Sequence, residues 1–187
     1  MIRISSKIAR GRGFTLIELM MTISIAAILM AVGVPSFRYV TTSNRVSSEI
    51  NGLLGDLQFA RAEAIREGQT VSVCASADGA TCNGSTNWKT GWLVFSDTGV
   101  IGTIDGTDAI LKMQRTFSGL DTLQTNHNIS VVTFSREGFA MTLPSPITFT
   151  LHDSTVNRQY TRCLSLTIVG GVSTQVGGAL TAENAAC

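Results

Sequence analysis

The chain has 187 residues, 14 Lys plus Arg against 13 Asp plus Glu, and a formal net charge of +1. Near-neutrality is not the footprint of a protein whose main business is binding nucleic acid by charge. The length of the chain leaves roughly 140 residues for a folded head, enough for one core and not for two domains.

Four cations, Arg3, Lys7, Arg10 and Arg12, precede an apolar run from Phe14 to Val34, and only Arg38 and Arg45 follow closely. The run is about 20 residues, the length that crosses a hydrocarbon core, and the charge bias places the N-terminus in the cytoplasm. One carboxylate, Glu18, sits inside the run. A central acidic residue costs about 2.5–3.5 kcal/mol on insertion scales, so Glu18 needs a partner. A secretory signal carries its cleavage site after the apolar region. Here the small residue, Gly13, precedes it.

Past the run, Pro35 is expected to break or kink the helix, with Gly33 adding local freedom. From Ser43 the pattern turns amphipathic. Val46, Ile50, Leu53, Leu54, Leu57, Ala60, Ala64 and Ile65 recur at helical spacing, while Glu49, Asp56, Arg61, Glu63, Arg66 and Glu67 fill much of the remainder. Gly68 suits the C-cap. A helix from Phe14 to Glu67 would be about 80 Å long.

From Gln69, Gly, Thr, Ser and β-branched residues dominate. Strands are expected near Thr70–Ser76, Gly91–Ser96, Ala109–Phe117, Ile129–Ser135, Ile147–Leu151, Thr161–Val169 and Ser173–Val176. Asp105-Gly106, Glu137-Gly138, Pro144-Ser145-Pro146 and Gly170-Gly171 are the turn signals. The expected fold class is α+β, with two small antiparallel sheets against the helix. The boundaries are 1–13 leader, 14–34 membrane or filament-core helix, 35–68 amphipathic half and 69–187 β-rich head.

Gly13-Phe14-Thr15-Leu16-Ile17-Glu18-Leu19 resembles the class III signal of type IV pilins and type II secretion pseudopilins. The resemblance implies cleavage between Gly13 and Phe14 by a membrane prepilin peptidase and N-methylation of Phe14. It also implies pairing of Glu18 with the N-terminal amine of a neighbouring subunit in the filament. A cut there would remove four of the fourteen Lys plus Arg and none of the thirteen Asp plus Glu. The mature chain would then carry ten basic and thirteen acidic side chains.

The resemblance narrows at Ala60-Arg61-Ala62-Glu63-Ala64-Ile65-Arg66, Val71-Ser72-Val73-Cys74 and Gly91-Trp92-Leu93-Val94-Phe95-Ser96-Asp97, which look like the GspH/FimT-type minor pilins, FimU-like proteins included. It implies a minor subunit that primes assembly and sits near a filament tip. Other implied features are an inner-membrane, single-pass location before assembly, a periplasmic head, and pilin or pseudopilin neighbours on an assembly platform. The alternatives are a type II secretion pseudopilin and a DNA-receptor pilin. Some FimT-like relatives bind DNA through a Gly-Arg-x-Arg motif. The corresponding Ile168-Val169-Gly170-Gly171-Val172-Ser173-Thr174 lacks both arginines, and no Lys or Arg lies between Leu164 and Cys187.

The four cysteines, 74, 82, 163 and 187, fall on the exported side and allow three pairings. Cys74–Cys82 and Cys163–Cys187 are favoured, because the first closes a polar loop and the second ties the last residue to a strand. That arrangement leans modestly toward a pilus subunit. Zinc is disfavoured: no Cys-x-x-Cys exists, and His127 and His152 lack ligand spacing. Asp97, Asp105 and Asp108 share a Gly-rich segment and are a weak calcium candidate without EF-hand spacing. Trp92 reads as core, Trp88 as the more exposed and a contact candidate. No nucleophile–base set or phosphate loop appears, so neither catalysis nor a cofactor is expected.

Overall fold

The computed structural model describes residues 13–117, 119–155, 157–177 and 187. The proposed leader, 1–12, lies outside the described residues. The chain divides into two compact units, Met1–Val40 and Thr41–Cys187.

One helix, α1 (Leu16–Glu67), runs through both units. In the first unit its large apolar side chains, Leu16 through Val40, are exposed. It is the one described helix long and apolar enough to cross a membrane. Pro35 lies inside α1, and the helix continues through it. Of the two outcomes expected at Pro35, a break and a kink, the continuous helix excludes the break. Proline removes one backbone donor, and the neighbouring i to i−4 bonds keep the turn.

In the second unit α1 buries Val46, Ile50, Leu53, Asp56, Leu57, Ala60 and Ala64. The spacing of three and four residues puts them on one stripe. Gly68 ends the helix at φ +69°, and its N–H reaches the Ala64 carbonyl. A left-handed residue closes the last turn without a Cβ penalty.

The strands are β1 (Val71–Ala75), β2 (Gly91–Ser96), β3 (Ile110–Arg115), β4 (Thr122–Thr125), β5 (Val131–Phe134), β6 (Ile147–His152), β7 (Arg162–Leu166) and β8 (Val172–Val176). They form two antiparallel four-stranded sheets, ordered β3-β2-β1-β5 and β4-β6-β7-β8. β4 was not anticipated. Thr122-Leu123-Gln124-Thr125 buries only alternate residues and is too short to signal itself by periodicity.

Both central strands of the first sheet are buried along their whole length. Val71, Val73, Ala75, Trp92 and Val94 join the main core with the α1 stripe. Cys74, Leu93 and Phe95 point the other way, under Cys82, Ile104 and Val131. This is why β2 reads as a continuous apolar run from Trp92 to Phe95 instead of an alternating one, and why Ser72 of β1 is buried as well. β6 alternates, with Ile147, Phe149 and Leu151 inward and Thr148, Thr150 and His152 less buried. Trp88 and Phe149 meet edge to face at 5.1 Å and tie the two sheets together.

Candidate functional site

The N-terminal site is a junction followed by an apolar helix. Thr15 Oγ1 accepts from the Glu18 N–H at 3.2 Å, and the Thr15 carbonyl accepts from Leu19 N at 3.1 Å. Thr15 thus caps the helix, with Glu18 three residues on, the spacing of a capping box. The carboxylate sits where the helix dipole favours negative charge. Phe14 precedes this turn and is 80% exposed. The exposed apolar surface that follows is large for a water-soluble face and suits lipid or neighbouring helices. Thr22 and Ser24 return their hydroxyls to the Leu19 and Met20 carbonyls, so neither presents an unsatisfied donor to an apolar surround.

On the second unit, polar side chains fasten α1 to the strands. Asp56 lies on the apolar stripe and is 4% exposed, which corrects its placement on the polar face. Its Oδ2 accepts from Trp92 Nε1 at 2.8 Å, and its Oδ1 pairs with Lys112. Buried polar groups need such partners, and the strand residues supply them. Arg61 donates to the Gly138 carbonyl at 2.9 Å and the Val169 carbonyl at 3.1 Å. Arg162 reaches the hydroxyls of Ser43 and Ser47 at 3.0 and 3.2 Å. None of these ties was named from sequence. The signal was there for Asp56 alone: a carboxylate one position before Leu57, at helical spacing from Leu53 and Ala60.

Trp88 is fully buried, which overturns the contact reading. Asn87 caps a short 3-10 turn, Trp88–Thr90, through Lys89 N. That turn aims the indole inward, where Nε1 donates to the Ile129 carbonyl at 2.8 Å. Its polar neighbours in sequence reflect the turn and not the exposure of the ring. Trp92 is also fully buried and packs edge to face on Phe117 at 5.6 Å.

The three aspartates weighed for calcium are engaged within their own segment. Asp97 is 1% exposed and accepts from Ser72 Oγ and Gly102 N. Asp105 accepts from Val100 N, Thr107 N and Thr107 Oγ1, which holds its carboxyl below the usual range, the Thr107 hydroxyl most of all. Asp108 accepts from Thr98 N and Asp105 N. The carboxylates fold their own loop, which carries Ile104 over Leu93 and Phe95. Among the described residues no three His, Cys, Asp or Glu side chains gather to hold a metal ion.

Two disulfides are present, Cys74–Cys82 and Cys163–Cys187. The first closes a loop built on Asp78, whose carboxylate accepts from Ala80 N and Thr81 N and is thereby held well below the usual range. The second joins the C-terminal residue to β7. The Ile168–Thr174 stretch forms the β7–β8 turn and the start of β8. Gly170 adopts φ +76°, and a Cβ there would run into the Gly138 carbonyl and Arg61. The arginine at this turn therefore comes from α1, and its guanidinium is committed to backbone carbonyls.

The pattern of the family described as "Type II transport protein GspH" matches residues 49–170. The prokaryotic N-terminal methylation motif matches residues 8–34. Among curated proteins, none matches the chain. In fold the chain is similar to crystal structures of the Pseudomonas aeruginosa PAO1 type IV minor pilin FimU. One crystal form aligns with a TM-score of 0.55 and 20% identity, over 74% of this chain and 92% of FimU. A second gives 0.52 and 21%, over 70% and 90%.

Proposed function

This chain belongs to the GspH family, and from that premise we propose that it is a minor type IV pilin that primes filament assembly and sits near the filament tip. It is a structural subunit of the pilin class, not an enzyme, and its apolar helix anchors it in a membrane before assembly. In the proposed cycle a prepilin peptidase of the inner membrane cuts between Gly13 and Phe14 and methylates the new amine. The head then stands in the periplasm until the subunit enters the filament beside other pilins.

The observation that carries this reading is the junction. A capped first turn holds Glu18 four residues from the proposed new terminus, on a helix whose apolar surface is uncovered. In a low-dielectric bundle the Glu18 carboxylate would find its partner in the Phe14 amine of the adjacent subunit. Neither charge is well tolerated there alone. The pair would set the axial register of one subunit on the next.

The test has two arms. Mass spectrometry of the protein purified from membranes should find N-methyl-Phe at Phe14, and an intact leader would sink the assignment. Glu18→Val should insert normally but fail to enter filaments; normal incorporation would remove the register role.

A secretion pseudopilus is the second reading, favoured by the family's description as a type II transport protein. Genes beside this one for a tip adhesin or for a secretion machine distinguish the two. DNA capture is not proposed. The β7–β8 turn carries no cation of its own to neutralise phosphates.

A further inference from the structure

Two acidic side chains meet where α1 faces the connection between β3 and β4. Asp121 is fully buried. Its Oδ1 accepts from Arg45 Nη2 at 2.8 Å, but its Oδ2 is buried and has no partner. Glu49 lies one helical turn after Arg45 on the same face of α1, and its Oε2 is likewise buried without a partner. Arg45, one turn before Glu49, is bonded to Asp121, and this brings the two acidic side chains close enough for Asp121 to act on Glu49. Two ionised carboxylates so placed repel one another, and each orphaned oxygen carries a desolvation cost. One proton between them removes both penalties, because a protonated carboxyl donates where a carboxylate only accepts.

We propose that Glu49 and Asp121 share one proton, and that this carboxyl–carboxylate pair is a pH-sensitive latch between α1 and the β3–β4 connection. The charged groups around Glu49 are Asp121 on the connection, Arg45 on α1 and Lys89 on the 3-10 turn. The two cations are enough to balance two carboxylates in charge, which argues against a divalent ion as the missing partner. They do not remove the need for a donor: Arg45 already spends its bond on Oδ1 of Asp121. Burial, with Asp121 close by, pushes the Glu49 carboxyl up to about 7. Gly119 leaves room for this arrangement, since a Cβ there would crowd both Asp121 and Arg45.

The sign follows from the raised value. The folded state binds the Glu49 proton more tightly than the unfolded chain, so the latch is complete below about pH 4.5 and is lost as pH rises through about 7. What loosens is the stretch from Gly119 to Asp121 that Arg45 and Glu49 hold. A subunit exported into surroundings of varying pH would thus hold its head on the helix more firmly in mild acid.

The experiment uses the full chain in detergent micelles with both disulfides oxidised. Carboxyl carbon NMR should show Glu49 titrating within about one pH unit of 7, and in Asp121→Asn its midpoint should fall by at least one unit. Hydrogen exchange at Leu120 and Asp121 should quicken at least threefold between pH 6 and 8, after correction for intrinsic rates, and Glu49→Gln should abolish that change. A Glu49 midpoint near 4.5 in the unaltered chain overturns the proposal, whatever the variants do. So does the same exchange profile in Glu49→Gln. Calcium chloride at 2 mM and pH 8 is the control: slowed exchange that disappears in Glu49→Gln would assign the pair to a cation and refute the shared proton. None of these outcomes bears on the Phe14 and Glu18 tests, so failure here leaves the pilin reading standing.

Discussion

Replacing Asp56 by alanine tests whether a buried polar tie, and not the apolar stripe alone, holds α1 on the first sheet. The substitution leaves the indole N–H of Trp92 buried without an acceptor, since Asp56 Oδ2 is its partner at 2.8 Å. An orphaned buried donor costs about 1–3 kcal/mol. Lys112 also loses its partner, but its side chain is 51% exposed and water replaces the carboxylate. That part is worth under about 1 kcal/mol. The total is about 2–3 kcal/mol, which in a unit of about 150 residues lowers Tm by about 5–10 °C. Asp56→Asn keeps an oxygen for the indole and should cost about half as much. Thermal unfolding followed by near-ultraviolet circular dichroism, in the single variants and in Asp56→Ala combined with Trp92→Phe, gives the coupling directly. Coupling of at least about 1 kcal/mol is expected. If Asp56→Ala melts within 1 °C of the parent, or the two changes add independently, the tie contributes nothing and the stripe suffices.

Gly170→Ala should destabilise by more than about 2 kcal/mol in chemical denaturation, because φ +76° disfavours a Cβ and the Gly138 carbonyl and Arg61 occupy its space. Arg61→Ala should cost about 1–2 kcal/mol in the same assay by freeing the Gly138 and Val169 carbonyls. Removing both cysteines of the Cys163–Cys187 pair should lose about 3.5 kcal/mol, against about 2.5 for Cys74–Cys82, because the closed loop is longer; equal losses would contradict the loop-entropy account. Trp88→Phe should lower stability by about 1–2 kcal/mol by leaving the Ile129 carbonyl with only the long Thr125 hydroxyl contact, with no change in binding to cells or surfaces.

The fold similarity to FimU covers 74% of this chain at 20% identity, and the make-up of the core is consistent with that. The main core is made of apolar side chains that many sequences supply equally well: the α1 stripe, β1, β2 and the inward face of β6. Polar ties cross it as well, Asp56 to Trp92, Arg61 to two turns and Arg162 to two serines, and they seat the helix on the strands. Polar ties of this kind favour one arrangement over near alternatives.

The sequence by itself determined what depends on near neighbours in the chain. Hydropathy marked the apolar helix from Phe14, Glu18 stood out within it, periodicity marked the stripe from Val46 to Ala64, and Gly68 marked its end. Seven of the strands lay where β-branched runs alternate with turns, and the shortest, β4, did not announce itself. Tertiary structure alone decided the strand order, which brings β5 beside β1 and leaves β4 beside β6. It also put Trp88 inside, turned three aspartates into loop fasteners, and brought Asp121 against Glu49. The reason is physical: local pattern reports which face of an element is apolar, whereas the fate of a polar side chain depends on partners far away in sequence. Asp56 and Trp92 are 36 residues apart, and Arg45 and Asp121 are 76.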